Sequence, residues 1–129
     1  EKKKIILSGS DHLSLFCDRD WLSEAIDNIV KNAFDHTESG AVIGITWRAL
    51  PSGIQIVVKD NGCGIHPEDI HHIFKRFYRS RFSKDTQGIG LGLPFAKAVI
   101  EAHEGAIEVD SELGRGTSFT INFLIPTKL

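Results

Sequence analysis

Glycine placement constrains this chain most. Most of its twelve glycines crowd into three clusters. Asp60-Asn61-Gly62-Cys63-Gly64 follows a β-prone run, Gly88-Ile89-Gly90-Leu91-Gly92-Leu93 precedes a helical pattern, and Gly114-Arg115-Gly116-Thr117 sits at a hairpin. Glycine permits positive φ and close backbone approach. A glycine-rich turn opening a helix offers free N–H groups and a positive dipole end to a phosphate. Each cluster alone also reads as an ordinary turn. Other nucleotide fingerprints are missing. There is no GxxxxGK followed by Ser or Thr, and GxGxxG fails because Leu93 and Pro67 occupy its sixth position. Asp60-Asn61-Gly62 is not the Asp-Phe-Gly of eukaryotic protein kinases.

Around the glycines, residues 3–8 and 13–17 are short β-prone runs, and residues 41–50 and 53–59 read as a hairpin turning at Pro51-Ser52. Residues 106–111 and 117–124 form a second hairpin turning over 112–116. Three helices are expected. Leu22, Ile26, Ile29, Val30 and Ala33 make one buried stripe. Pro67 suits a first helical position, with Glu68 and Asp69 favoured by the dipole behind it and Ile70, Ile73, Phe74 and Phe77 as the apolar face. Pro94 opens a third, whose Ala96, Val99 and Ile100 face inward. The fold class is α+β: a two-layer sandwich in which three helices cover one face of a mixed, mostly antiparallel sheet. Residues 80–88 are polar enough and long enough to act as a lid.

Composition narrows the function. A chain of 129 residues suits one domain, 1–129, with one core, and its abrupt start reads as a piece of a longer parent. Net charge is −2 and no basic stripe runs along it, which argues against nucleic acid. No apolar run approaches the roughly 20 residues of a membrane span, so no direct membrane contact is expected of this piece. Cys17 and Cys63 read as reduced thiols of a cytoplasmic chain, with one disulfide between them as the alternative.

Asn28 and Asn32 lie four apart on one helical face. Their amide oxygens are neutral hard ligands of the kind Mg²⁺ accepts; taken alone, two such amides are better read as hydrogen-bonding nearby backbone. Asp60 ends a strand before a glycine turn. A part-buried carboxylate there accepts hydrogen bonds only, so it suits either an Asx turn or a base that donates, such as the adenine amino group.

Order changes the odds. Asn28-x-x-x-Asn32-Ala33, Asp60-x-Gly62-x-Gly64, Ile73-Phe74-Lys75-Arg76-Phe77-Tyr78-Arg79, Gly88-x-Gly90-x-Gly92-Leu93 and Gly114-x-Gly116-Thr117-x-Phe119 together resemble the catalytic domain of sensor histidine kinases. They fall in the order of that family's N, G1, F, G2 and G3 boxes, from about Leu15 to Pro126. The resemblance implies the Bergerat-type ATP-binding fold shared with DNA gyrase, mismatch-repair ATPases and heat-shock chaperones, with ATP and Mg²⁺ bound under a mobile lid. It implies that Asn32 coordinates Mg²⁺ while Asn28 supports the phosphate end. Asp60 would accept from the adenine amino group, with Gly62 and Gly64 leaving room for the base and Ile65 against it. Thr117 would contact adenine directly or through water. The backbone at Gly88, Gly90, Leu91, Gly92 and Leu93 would hold phosphates, Tyr78 would line the pocket, and Arg79 would reach the γ-phosphate. Arg81 and Lys84 read as solvated lid charges. Asn32 and Arg79 are the catalytic candidates.

Two departures bear on mechanism. Family members often carry a basic residue three positions after the Mg²⁺ asparagine, where this chain has Asp35. Related ATPases place a glutamate base at the position of Asn28, which cannot activate water, so slow ATP hydrolysis is expected. The histidine nucleophile would come from a dimerisation domain of the same parent, with a response regulator downstream. The parent would be anchored in the inner or plasma membrane. His103-Glu104 matches the catalytic domain's own helix-to-strand junction rather than an acceptor site. The alternatives are a gyrase-like ATPase switch, an anti-sigma-factor-type serine kinase, and a non-catalytic nucleotide-binding module of the same fold.

Overall fold

Alternating apolar and polar residues decide the sheet. In the computed structural model, which describes residues 4–9, 17–78 and 92–124, the strands are β1 (Lys4–Gly9), β2 (Val42–Leu50), β3 (Gly53–Asp60), β4 (Gly105–Glu112) and β5 (Gly116–Leu124). They form one sheet in the order β1-β2-β3-β5-β4. β1 runs parallel to β2 and every other pairing is antiparallel. Both expected hairpins are present, β2–β3 and β4–β5.

Because side chains alternate between faces, the register sorts residues into rows. Val58, Phe119 and Val109 make one inward row; Trp47, Ile56, Ile121 and Ile107 make the next. Phe119, Ile121 and Phe123 are almost fully buried there. The opposite face is polar: Arg48 Nε donates to Gln55 Oε1 at 2.9 Å, and Gln55 Nε2 donates to Asn122 Oδ1 at 3.0 Å. One face is therefore built for a core and the other for water.

Helices α1 (Arg19–Asp35) and α2 (Gly92–Ala102) cover the apolar face. Asp18 caps α1 by accepting from Trp21 N at 3.1 Å, satisfying one of the free donors of the first turn. Leu22, Ala25, Ile29 and Ala33 are buried, while Ile26 and Val30 pack at the margin of the core. Ala96, Val99 and Ile100 are the buried stripe of α2. His103 joins the helices: its Nδ1 donates to Val99 O at 2.8 Å, and its Nε2 accepts from Asp18 N at 3.0 Å. That pairing gives His103 the structural role expected of it.

The expected helix after Pro67 is instead a chain of turns. The N–H groups of Asp69, His72, Lys75 and Tyr78 each bond the carbonyl three residues back, at 2.8–3.2 Å. The local chemistry competes with an α-helix. His66 Nδ1 takes the Glu68 N–H, and Asp69, expected as a first-turn acid favoured by the helix dipole, is turned inside at 3% exposure. Ile70 and Ile73 also lose side-chain freedom in a helix. Phe77, expected on the apolar face, is 66% exposed and adopts φ 64°. The expected strand at 13–17 and lid at 80–88 lie outside the described residues, apart from Cys17, which stands at a bend before α1.

Candidate functional site

At one end of the sheet the inward positions turn polar. Beyond the row of Val58, Phe119 and Val109, the next inward residues are Asp60 on β3, Thr117 on β5 and Ser111 on β4. The register places Asp60 opposite Thr117 and Thr117 opposite Ser111. Asp60 is 7% exposed and Thr117 8%. Asp60 Oδ1 accepts from Gly62 N at 2.8 Å, and the Thr117 N–H also reaches the carboxylate. Burial pushes the Asp60 carboxyl above the ordinary aspartate value, against the pull of those two N–H groups and of His36. Among the described residues no buried side-chain nitrogen or oxygen lacks a partner.

The glycines of this end are required by close approach. Gly64 has φ 82°, and a Cβ there would lie 2.3 Å from Glu112 O. Gly116 has φ 122°, and a Cβ would lie 2.0 Å from Asp60 O. The two glycine turns are thereby pressed together, and Gly114 N donates to Cys63 O at 2.8 Å. Ile65 is half-buried, with its N–H donated to Ser111 Oγ at 2.7 Å.

Helix α1 runs from this end to a second cluster. Near its C-terminus, His36 O and Thr37 Cγ2 are the atoms a Cβ on Gly62 would meet at 2.9 Å. Eight residues back on the same face, Asn28 Nδ2 donates to Glu24 O at 3.0 Å. Its amide oxygen faces Gly92, the first residue of α2, where a Cβ would lie 3.2 Å away. Asn32 lies between, half-buried, and its side chain makes no hydrogen bond to the described residues. Leu93 packs against the core behind Gly92. Asp35 pairs with Lys31 at 3.3 Å across one exposed helical turn.

Tyr78 is half-buried; its hydroxyl donates to Asp69 Oδ1, and its ring stacks on His72 at 5.2 Å between centroids. Arg79, Arg81, Lys84, Gly88, Gly90 and Leu91 lie outside the described residues. The structure thus brings together Asp60, Gly62, Gly64, Ile65 and Thr117 at one end of α1, and Asn28 with Gly92 further along it.

Three residues of this region were given no site role from sequence. Ser111 links Ile65 to Thr117, Asn61 Oδ1 accepts from Val42 N at 2.8 Å and pins the glycine loop to β2, and Asp69 holds Tyr78. The signal for Ser111 is parity: it follows Ile107 and Val109 at inward positions of β4, where a polar residue needs a partner.

The sequence matches the family described as "Histidine kinase-, DNA gyrase B-, and HSP90-like ATPase" over residues 17–127. Sensor histidine kinase YvrG of Bacillus subtilis is 37% identical over 118 residues, covering 91% of this chain. This chain spans only 20% of that relative's length. The solved structure of the mycobacterial sensor histidine kinase MprB matches with a TM-score of 0.86 at 28% identity, over 95% of this chain and 83% of that one. Full-length ShkA in complex with AMPPNP matches with a TM-score of 0.80 at 27% identity, over 98% of this chain and 27% of its own.

Proposed function

Because the chain belongs to the histidine kinase-, DNA gyrase B- and HSP90-like ATPase family, as the domain type of sensor histidine kinases, we propose that it binds Mg-ATP and gives the γ-phosphoryl group to a histidine on a dimerisation domain of the same parent. A response regulator would receive the phosphate next. The parent would be anchored in a membrane with this domain on its cytoplasmic side; no helix among the described residues is long and apolar enough to cross one.

The observation that carries this reading is the placement of two unlike sites along one helix. A buried carboxylate sits at one end, and the Asn28 amide oxygen lies toward a helix N-terminus at the other. Asp60 accepts the adenine amino group beside the glycine turn, where a Cβ on Gly62 would crowd its carboxylate and a Cβ on Gly64 would push the two turns apart. Asn28, oriented by Glu24 O, presents oxygen toward the start of α2, where backbone N–H groups favour phosphate. Asn32, with no internal partner among the described residues, is the fitting ligand for Mg²⁺, which takes few protein oxygens and keeps several waters. When bound, Mg²⁺ supplies charge neutralisation to the transferring phosphoryl group. Arg79, the residue given the γ-phosphate in this reading, follows Tyr78 directly in sequence, and the Asp69–Tyr78 hydrogen bond anchors the residue before it. The Lys31–Asp35 ion pair locally compensates the acid at the usual basic position.

Incubation with γ-labelled ATP and the parent's histidine-bearing domain tests this. Label should move to that domain and be lost when its acceptor histidine is replaced, with little phosphate released to water. Steady hydrolysis with no transfer would replace this reading with an ATPase switch.

A further inference from the structure

Helices α1 and α2 meet along a seam traced by three contacts. Asp18 N donates to His103 Nε2 just beyond the end of α2. The rings of Trp21 and Phe95 lie 5.7 Å apart between centroids. The Asn28 amide oxygen faces Gly92 at the start of α2. Residue numbers rise along one helix as they fall along the other, so the two run antiparallel. Trp21 stands two turns before Asn28 on the same face of α1, about 10 Å along the axis, and Phe95 stands one turn after Gly92. The aromatic pair therefore continues the seam outward from the end assigned above to phosphate.

Trp21 is 54% exposed. A single exposed apolar residue is ordinary, but Trp21 rests on Phe95, which itself packs against the core. An aromatic held this way loses little freedom when a partner covers it, and tryptophan is enriched among the residues that carry binding energy. The surface around it is acidic: Asp20, Glu24 and Asp27 are exposed, and Arg19 is the one cation of residues 19–30. Transfer to a histidine needs its ring nitrogen within about 3–3.5 Å of the γ-phosphorus. A side chain that short brings its own helix with it, so the domain carrying it must cover the surface beside Asn28 and Gly92. We propose that the Trp21–Phe95 pair is the docking anchor for the parent's histidine-bearing domain, whose facing helix offers an apolar side chain to the rings and a basic one to Glu24. This rests on the phosphotransfer reading above. The charge of the α1 surface favours a basic partner over a second copy of this acidic face.

The test follows label transfer from γ-labelled ATP against rising concentrations of the parent's histidine-bearing domain. Trp21→Ala should raise the KM for that domain by about 5- to 30-fold, the range of an aromatic anchor. It should leave kcat at saturation and the calorimetric affinity for Mg-ATP unchanged, and Trp21→Phe should recover most of the loss. Ala98, exposed one turn beyond Phe95, supplies a variant that leaves the ring packing alone. Ala98→Arg should raise the same KM through bulk and like charge, and it gives the answer if Trp21→Ala does not fold. An unchanged KM in the folded variants would overturn the proposal. Loss of ATP affinity in step with transfer would overturn it too, because the pair would then belong to the nucleotide site. A wild-type dimer in sedimentation that Trp21→Ala dissociates would give the surface to a second copy and overturn it as well. Wild type that binds no ATP, or binds it and labels no histidine, would instead overturn the phosphotransfer reading itself.

Discussion

The two ends of α1 are built on opposite plans. At the Asp60 end, recognition groups sit on neighbouring strands, their positions set by main-chain register. Their side chains are already engaged: Asp60 with Gly62, Thr117 with Ser111, Ser111 with Ile65. Gly64 and Gly116 there touch backbone that cannot move aside. At the Asn28 end, the candidate groups are side chains on one helix, the Asn28 oxygen facing the first residue of another, and Asn32 is uncommitted among the described residues. In the proposed reading, base recognition would therefore be part of the folded sheet, whereas phosphate recognition would use groups the fold leaves available. Substitutions at the first end should cost stability as well as affinity, and those at the second end function alone.

The largest effect is expected at Asn32. Asn32→Ala should abolish transfer to a supplied histidine domain and the Mg²⁺-dependent part of nucleotide binding, with the melting temperature almost unchanged. Transfer at the wild-type rate would remove the metal role. Gly64→Ala comes next and should destabilise the fold by about 2–4 kcal/mol, combining left-handed strain with a collision against backbone. Gly114→Ala shares nearly the same φ, 81°, but meets nothing within 4 Å, so it should cost only about 1–2 kcal/mol. Gly92→Ala, whose nearest neighbour is the Asn28 side chain, should be close to neutral in stability. Equal losses at all three positions in thermal unfolding would erase the contrast between the ends. Asp60→Ala should then weaken ATP by about 10- to 150-fold, or about 1.5–3 kcal/mol, the scale of a charge-assisted hydrogen bond.

The smallest effect concerns pH. Burial raises the Asp60 carboxyl above 3.8, so the folded state holds this proton more tightly than the unfolded chain does. At pH above the folded-state value, the buried charge costs stability. As pH falls through that value toward the unfolded one, protonation relieves the cost, so this group's contribution to stability rises. ATP binding responds in the opposite sense, because a protonated carboxyl is a poorer acceptor. The ratio of wild-type to Asp60→Asn affinity should fall as pH is lowered from about 7 to about 4, beginning above the range of an ordinary aspartate. The ratio also cancels titration of the nucleotide itself. A flat ratio would separate Asp60 from the base.

The elements legible in the sequence are those set by local pattern. Pro51-Ser52 and Gly114 marked the hairpins, the stripe from Leu22 to Ala33 marked α1, and the spacing of Asn28 and Asn32 placed both on one face. The turns after Pro67 were misread because Asp69 looks like a dipole partner until Tyr78, nine residues on, is seen to claim it. Ser111 was missed for a related reason. On its own strand it is one serine before a turn, and only pairing with β5 brings it to Thr117. Local chemistry was visible; contacts made by register and by chain return were not.

The most direct test of the account is a calorimetric titration of Mg-ATP and Mg-GTP into the same chain near neutral pH. The Asp60 carboxylate would face an amino group in one base and a carbonyl oxygen in the other. The account predicts one saturable ATP site and GTP binding at least about 10-fold weaker. Equal affinity for the two nucleotides, or no ATP binding, would contradict it.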